Sequence, residues 1–563
     1  MIFAADDRIV MRQDGNMRSR REWQAWHYDS HDRNIRLALV NGSASRETLQ
    51  SSFDAGTAPT LYDRDSVILH QWYYDGDIPS GTSLSYQERP GITVSDGLSL
   101  RSTAVTGLLT GERINLLGTT SYSDKLYFYD GLGREIQTVQ TLPTVGTLRT
   151  SSLFDLKGYI LKREDINNDN VLLSEYTYDS RDRVLTERST LNGNVTSGVD
   201  HTYDDLGRLS VDHYLTSGQD ADLSTTYSYT LQGWLSSKNT DSNYGAQEWE
   251  QLHYGDSLPF SAATPSWIGK ISSWCTDESE ETGMIFSYDG LGRMTSGKEL
   301  YLGDSANWEE NVGYDLNGNI QSLSRLQDDE EVYVKEFSYT GNHRQNCDYD
   351  RNGNVIYDDY RPDNDDSEID IPDLRYNILN LPAVSYVGEY PVSFGYLADG
   401  TKVYIEGSED LYDKYRYAGP FRYYENDSER ILESVAASGG RIVRAGAWET
   451  EVTEGEMIPH YFITDHLGSV RMVVNDNGAR FQTTDGISSM KTGPQHGRNG
   501  KITVSSTNTG PQRGRGESIR TGDCLIYAWD TDNTLRFTRR GCHLLIYLPA
   551  SSALINIGNI KKS

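Results

Sequence analysis

A motif of the form Tyr-Asp-x-x-Gly-Arg returns every 24 to 26 residues through the middle of this chain. A period that short leaves room for one hairpin per unit and for no core that a unit could call its own. The units read "YDGLGREIQ" from Tyr129, "FDLKGYILK" from Phe154, "YDSRDRVLT" from Tyr178, "YDDLGRLSV" from Tyr203 and "YTLQGWLSS" from Tyr229. After an interruption come "YDGLGRMTS" from Tyr288, "YDLNGNIQS" from Tyr314, "YTGNHRQ" from Tyr339 and "YDRNGNVIY" from Tyr349; a degenerate copy, "YDSHDRNIR", stands at Tyr28.

Each unit joins an aromatic strand end to a turn and a second alternating run, which predicts strand–turn–strand. Asp130, Asp179, Asp204, Asp289, Asp315 and Asp350 are placed to accept from backbone amides inside the turn. Gly133, Gly207, Gly292, Gly318 and Gly353 are placed to supply a positive φ, and Arg134, Arg208 and Arg293 open the second run. A lone hairpin is marginal in water, so the units are expected to share one long, spiralling, all-β sheet, with the tyrosines in register on one face. Open edges invite aggregation, so such a sheet needs caps or must curl into a closed wall. Composition favours the wall: 36% hydrophobic residues and 38 Tyr against 12 Phe suit thin layers whose rings still reach water.

The formal charge of −30 argues against nucleic acid as a partner for the body of the protein. Residues 481–563 depart from this, with 11 Lys/Arg against 5 Asp/Glu, net +6, which leaves −36 for residues 1–480. The change of sign suggests a boundary near residue 480. Cys275, Cys347, Cys524 and Cys542 are too few and scattered for a disulfide framework or a zinc site. The N-terminus lacks the pattern of a secretory signal, and the longest apolar run, near residue 550, is a poor membrane span. Read as it stands, the chain stays in the cytoplasm.

The stretch "HYFITDHLGSVRMVVNDNG" places Asp465, His466, Leu467, Gly468, Ser469, Val470 and Arg471 in consecutive positions. With the repeats, it resembles the RHS (rearrangement hot spot) or YD-repeat family and its core signature, over roughly residues 20–480. "RYNILNLPAVSY" (Arg375–Tyr386) and "FGYLADGTKV" (Phe394–Val403) agree with it. The resemblance implies a sheet that spirals into a hollow cocoon closed by a core domain. Many members are exported polymorphic toxins, in which the shell surrounds a C-terminal toxic domain and, in some, the core cleaves itself to release it. Such a protein is extracellular or on the cell surface, and its partners are a toxin cargo and a cognate immunity protein.

Asp465, His466 and Ser469 invite a catalytic reading, but a nucleophile and its base are placed by a fold, and three neighbours in one short turn are not free to be so placed. The structural reading, with Gly468 allowing the turn and Arg471 pairing with a carboxylate, is therefore preferred, and no catalytic or metal-binding residue and no cofactor is expected. The family pattern stops after Asp485, and no Asp-Pro dipeptide follows Asp465, which argues against family-type self-cleavage. Two explanations stand for residues 486–563: a shifted reading frame in a damaged gene, or an alternative C-terminal tip carrying a small toxin. The expected organisation is degenerate repeats over 1–127, shell repeats over 128–360, the first part of the core over 361–485, and a divergent, irregular or disordered basic tail over 486–563.

Two acidic stretches, Asp165–Glu175 and Asp363–Asp373, have the composition of calcium loops; the first lacks the Gly and Glu that an EF-hand needs, so solvated inter-repeat loops are expected. Trp234, Trp249 and Trp274, in the interruption, suit either a glycan surface or the core of an inserted hairpin. The leading expectation is a non-enzymatic shell fragment. The alternatives are a surface adhesin for carbohydrate or a partner cell, and a toxin in the tail.

Overall fold

The computed structural model describes residues 1–89, 91–92, 100–217, 222–243, 245–255, 258–260, 262–276, 282–301, 306–327, 330–358, 374–387, 390–407, 414–425, 429–445, 455–478 and 480–483, with four short strands between 495 and 538. The second acidic stretch, Asp363–Asp373, and most of the basic tail lie outside the described residues. In the tail, Gln495–His496 pairs with Ile502–Thr503, and Leu525–Asp530 with Asn533–Thr538.

The fold is all-β with two short helices, Gly15–Arg20 and Arg46–Asp54, which the repeat pattern does not foresee. A 23-stranded sheet runs from Ile2–Phe3 to Glu330–Glu336, and an 11-stranded sheet from Arg375–Tyr376 to Arg480–Thr483. Strands pair antiparallel with their neighbours in the chain, as hairpins joined end to end must.

The same three devices recur in the repeats. A bulge shifts the register at the aromatic, as at Phe128/Tyr129, Thr202/Tyr203, Ser287/Tyr288, Gly313/Tyr314 and Asp348/Tyr349. The tyrosine hydroxyl then donates to a backbone carbonyl of the preceding unit: Tyr129 to Leu109 at 2.6 Å, Tyr203 to Val184 at 2.8 Å, Tyr229 to Leu209 at 2.9 Å, Tyr288 to Ile271 at 2.8 Å and Tyr314 to Met294 at 2.8 Å. Finally the turn closes on its aspartate. Asp130 Oδ1 accepts from Leu132 N and Arg134 N, each at 2.9 Å, while Oδ2 takes Arg134 Nε at 2.7 Å. Asp179, Asp204 and Asp289 hold Arg183, Arg208 and Arg293 in the same way, and Asn319 and Asn354 replace the arginine beside Asp315 and Asp350.

The glycine of the turn is left-handed, with φ of 77° at Gly133, 86° at Gly207, 76° at Gly292, 92° at Gly318 and 87° at Gly353. The arginine continues into the next unit, its guanidinium lying 4.1 Å from the Tyr203 ring centroid for Arg183, and 4.6 Å from Tyr229 and Tyr314 for Arg208 and Arg293. Where both residues are present, as at Tyr203 with Arg208, a unit is stitched to its neighbours by a hydroxyl on one side and a cation on the other.

The chain forms two compact units. One comprises Met1–Tyr176, Ser189–Asn194 and Cys347–Val435. Its apolar centre includes Ile2, Met11, Trp23, Val40 and Leu49. Here the 11-stranded sheet is tied to the longer one by Leu117 N to Tyr396 O at 2.9 Å, Ala398 N to Asn115 O at 2.8 Å, and Tyr423 Oη to Asn167 Oδ1 at 2.7 Å. The first helix is anchored at its start, with Asn352 Oδ1 accepting from Gly15 N at 2.8 Å and Asp350 Oδ2 from Asn16 Nδ2 at 2.7 Å.

The other unit comprises Thr177–Arg188, Val195–Asn346 and Ala436–Ser563. One of its clusters gathers Leu223, Ala246, Tyr461, Ile463, Met472 and Val474, with Tyr214 against it. A second packs Phe260, Cys275, Ile285 and Leu300.

The Asp165–Glu175 stretch corrects the expectation of a solvated loop. It is a tight hairpin in which Asn167 pairs with Asn170 and Asn168 takes a φ of 54°. Asp165 is buried in a strand, bonded to Arg163 Nε at 2.8 Å and Thr150 Oγ1 at 2.5 Å. Asparagine tolerates the left-handed conformation that two-residue hairpin turns require, which the acidic composition of the stretch obscures.

Candidate functional site

The core signature lies on the hairpin of Met457–Thr464 and Val470–Asn475. Its turn has the geometry of the repeats. Gly468 has a φ of 86° and donates to Asp465 O at 3.0 Å, and Asp465 Oδ1 accepts from Leu467 N and Ser469 N, each at 2.9 Å. The register shift falls between Ile463 and Thr464. Thr464 therefore stands where a repeat carries its tyrosine, and Ser469 where it carries its arginine. Leu467 projects into solvent, and Ser469 meets Asp465 through its backbone amide.

The other signature residues point across to the 23-stranded sheet within the same unit. His466 donates its backbone N–H to Glu250 Oε1 at 3.1 Å and brings Nδ1 to 2.5 Å from the same oxygen. Arg471 Nε donates to Glu248 Oε1 at 3.2 Å, with its guanidinium 5.2 Å from the Trp274 ring centroid. The His466 ring meets Trp274 edge-on at 5.5 Å. Lys238 Nζ donates to Thr464 O at 2.6 Å and Thr464 Oγ1 at 2.8 Å. Burial lowers the Lys238 pKa, against the opposing pull of Glu250 and Asp465.

Below this polar cluster the hairpin is apolar. Tyr461 is fully buried, its hydroxyl donating to Leu215 O and accepting from Gly198 N at 3.3 Å, and burial pushes its pKa up to about 12. Its ring lies 5.2 Å from that of Tyr214. Ser242 Oγ and Gly478 O, 2.7 Å apart, fasten the far end of the hairpin.

The structure thus brings Asp465 and Gly468 into a turn, sends His466 and Arg471 to a pair of glutamates, and leaves Leu467 and Ser469 outward. Val470 begins the return strand opposite Thr464. Glu248, Glu250 and Lys238 carry no sequence signal, because they lie in the interruption of the repeat. Trp274 is half-buried among these groups, and Trp234 packs 5.0 Å from Tyr254. Tyr254, whose hydroxyl donates to Leu235 O at 2.8 Å, occupies a repeat tyrosine's place inside the interruption.

No protein-family model matches the chain, and no curated protein matches it. Solved structures do share its fold. The crystal structure of TcdB2-TccC3 without its hypervariable C-terminal region superposes with a TM-score of 0.58 at 11% identity, over 89% of this chain and 24% of that one. The Tc holotoxin pore of Photorhabdus luminescens gives 0.57 at 11% identity, over 86% and 23%. TcdB2-TccC3-Cdc42 gives 0.55 at 12% identity, over 82% and 22%. The fold is therefore RHS-like, a long antiparallel repeat sheet. The chain spans about a quarter of the length of the structures it matches. Among the described residues no helix is long and apolar enough to cross a membrane.

Proposed function

We propose that this chain is a non-enzymatic section of a shell wall, and that in the intact protein the wall encloses a C-terminal polypeptide cargo. The observation that carries this reading is that the core signature is built as one more repeat turn, with His466 and Arg471 directed to glutamates of the longer sheet. Those residues act as fasteners. The likeness in fold to toxin-complex proteins supports the same reading. The cargo is a toxin delivered in competition between bacteria and neutralised in its producer by an immunity protein, and the assembly works outside the cell.

The test is protease protection. A marker polypeptide is fused after the last residue of the full chain, and digestion is compared with that of the free marker. Protection supports a wall, whereas digestion at the rate of the free marker overturns it. Ser469→Ala and His466→Ala, assayed for chain scission or hydrolysis, test the non-enzymatic part. Loss of such an activity in a folded variant would reject it.

A further inference from the structure

Residues Phe128, Gln137, Ser151, Glu164 and Leu173 form a single transverse row across five adjacent strands, Phe128 opposite Gln137, Gln137 opposite Ser151, Ser151 opposite Glu164 and Glu164 opposite Leu173. Directly opposed residues share a face of the sheet. Three of the five are polar and sealed from solvent, with exposures of 1% for Gln137, 0% for Ser151 and 1% for Glu164. Burying that much polarity costs stability unless each group finds a partner.

Ser151 Oγ accepts from Gln137 Nε2 at 3.0 Å, whereas Gln137 and Glu164 also turn to a segment of the chain that belongs to no strand. Gln137 grips Gln87 by its backbone, Oε1 accepting from Gln87 N at 2.8 Å and Nε2 donating to Gln87 O at 3.0 Å, as a neighbouring strand would. Glu164 Oε2 accepts from Gly91 N at 2.8 Å, while its Oε1 takes Arg149 Nη2 at 3.1 Å. Arg89 is buried and donates from Nη1 to Ser152 O at 3.1 Å. Tyr86 meets Phe128 edge-on at 5.4 Å. Beyond Arg89, Ile92 N donates to Arg89 O at 3.0 Å.

These contacts read the segment position by position. The Phe128 ring selects an aromatic, Gln137 reads only backbone, and the Ser152 carbonyl takes a long cation. Glu164 favours glycine, since a Cβ at Gly91 would stand 2.5 Å from Glu164 Oε2 and the carboxylate would have to shift from its place beside Arg149 to admit it. A brace could be made from apolar side chains alone. This row instead carries the groups that recognise a peptide: a backbone-reading amide, a buried carboxylate held by its own arginine, and a size filter.

We propose that the row is a peptide-binding site, occupied in the free chain by its own Tyr86, Gln87, Arg89 and Gly91, and that it takes an external peptide of the pattern aromatic–x–x–Arg–x–Gly when these residues are displaced. The site stands whether or not the wall encloses a cargo.

The experiment uses the full chain with residues 85–92 replaced by a Gly/Ser linker of equal length, and a fluorescent peptide of the sequence Ser85–Ile92. The linker variant binds the peptide saturably in fluorescence polarisation. The unaltered chain binds at least about tenfold more weakly, because the tethered segment competes at high effective concentration. Gln137→Met in the linker variant, or Gly91→Ala in the peptide, reduces binding about tenfold or more. No saturable binding by a folded linker variant, or equal binding of the two peptides, overturns the proposal and leaves a brace. If the linker variant does not fold, hydrogen exchange on the unaltered chain decides. Excess glycine peptide accelerates exchange at Gln87 and Gly91 where the alanine peptide does not, and unchanged exchange overturns the site.

Discussion

His466 meets Glu250 through two of its atoms, the backbone N–H and Nδ1, both directed at the same carboxylate oxygen across 216 residues of chain. Glu250 is buried, so neither group is easily satisfied without the other. The pair ties the core-signature turn to the interruption in the repeats, where Glu248 holds Arg471 in parallel.

A double-mutant cycle on this pair should therefore show coupling. His466→Ala, Glu250→Gln and the double variant, compared by urea unfolding, are expected to give an interaction energy of roughly 1–3 kcal/mol. Additivity of the two single effects within about 0.5 kcal/mol would mean that the contact contributes nothing of its own.

The tyrosine stitch separates into two parts at Tyr229, whose hydroxyl donates to Leu209 O and whose ring lies under Arg208. Tyr229→Phe removes only the hydroxyl and should cost about 0.5–1.5 kcal/mol. Tyr229→Leu also removes the ring from Arg208 and should cost about 0.5–1 kcal/mol more. Thermal unfolding of both variants checks the order; a leucine variant as stable as the phenylalanine one would remove the cation from the account.

At Gly133 the φ is 77° and an added Cβ would meet nothing within 4 Å. The cost of Gly133→Ala is then conformational, about 1–2 kcal/mol. Gly133→Asn should cost less, because asparagine tolerates the left-handed region. Equal losses in chemical denaturation would point to some cause other than φ.

His201 stands between two carboxylates, Nδ1 at 2.6 Å from Asp212 and Nε2 at 3.2 Å from Glu187, and Tyr227 donates to the other oxygen of Asp212 at 2.8 Å. The hydrogen bonds to Asp212 and Glu187 raise its pKa from 6.5 to about 9, against the opposing effect of burial. A raised folded-state pKa stabilises most when the unfolded histidine is also protonated, so this contribution is whole below 6.5 and is lost as pH rises through about 9. Urea midpoints should fall across that window in the native chain and fall less in His201→Gln. Parallel curves for the two proteins would remove His201 from the pH response.

The turn carboxylates act at the opposite end of the scale. The Asp289 pKa is lowered first by the Arg293 backbone N–H, then by the Arg293 side chain and the Leu291 amide, with burial opposing; Asp179 is lowered likewise by Arg183 and Arg181. A depressed folded-state pKa contributes above the unfolded value and is lost as pH falls through the folded one. Stability should therefore decline below about pH 4, and Asp289→Asn should flatten part of that decline. An acid limb unchanged by the substitution would show that this turn does not report there.

The repeat was legible because each unit is written within a few residues. Asp289 binds amides two and four positions on and the guanidinium four positions on, so composition and spacing alone specify the turn. The all-β array and its hairpins follow from that. The same locality made Asp465 and Gly468 readable as a turn, though not that Thr464 and Ser469 stand in the places of tyrosine and arginine.

What the tertiary structure alone decided is which distant residues meet. Glu250 for His466, Glu248 for Arg471, and Gln137 and Glu164 for the segment at Gln87 and Gly91 all lie in stretches that read as ordinary strand or loop. Antiparallel register brings side chains into line across strands with no fixed spacing in the chain, and a polar residue in a strand looks alike whether it faces water or a buried partner. Local hydrogen bonds are encoded locally. The pairing of one face with whatever crosses it depends on the whole sheet being in place.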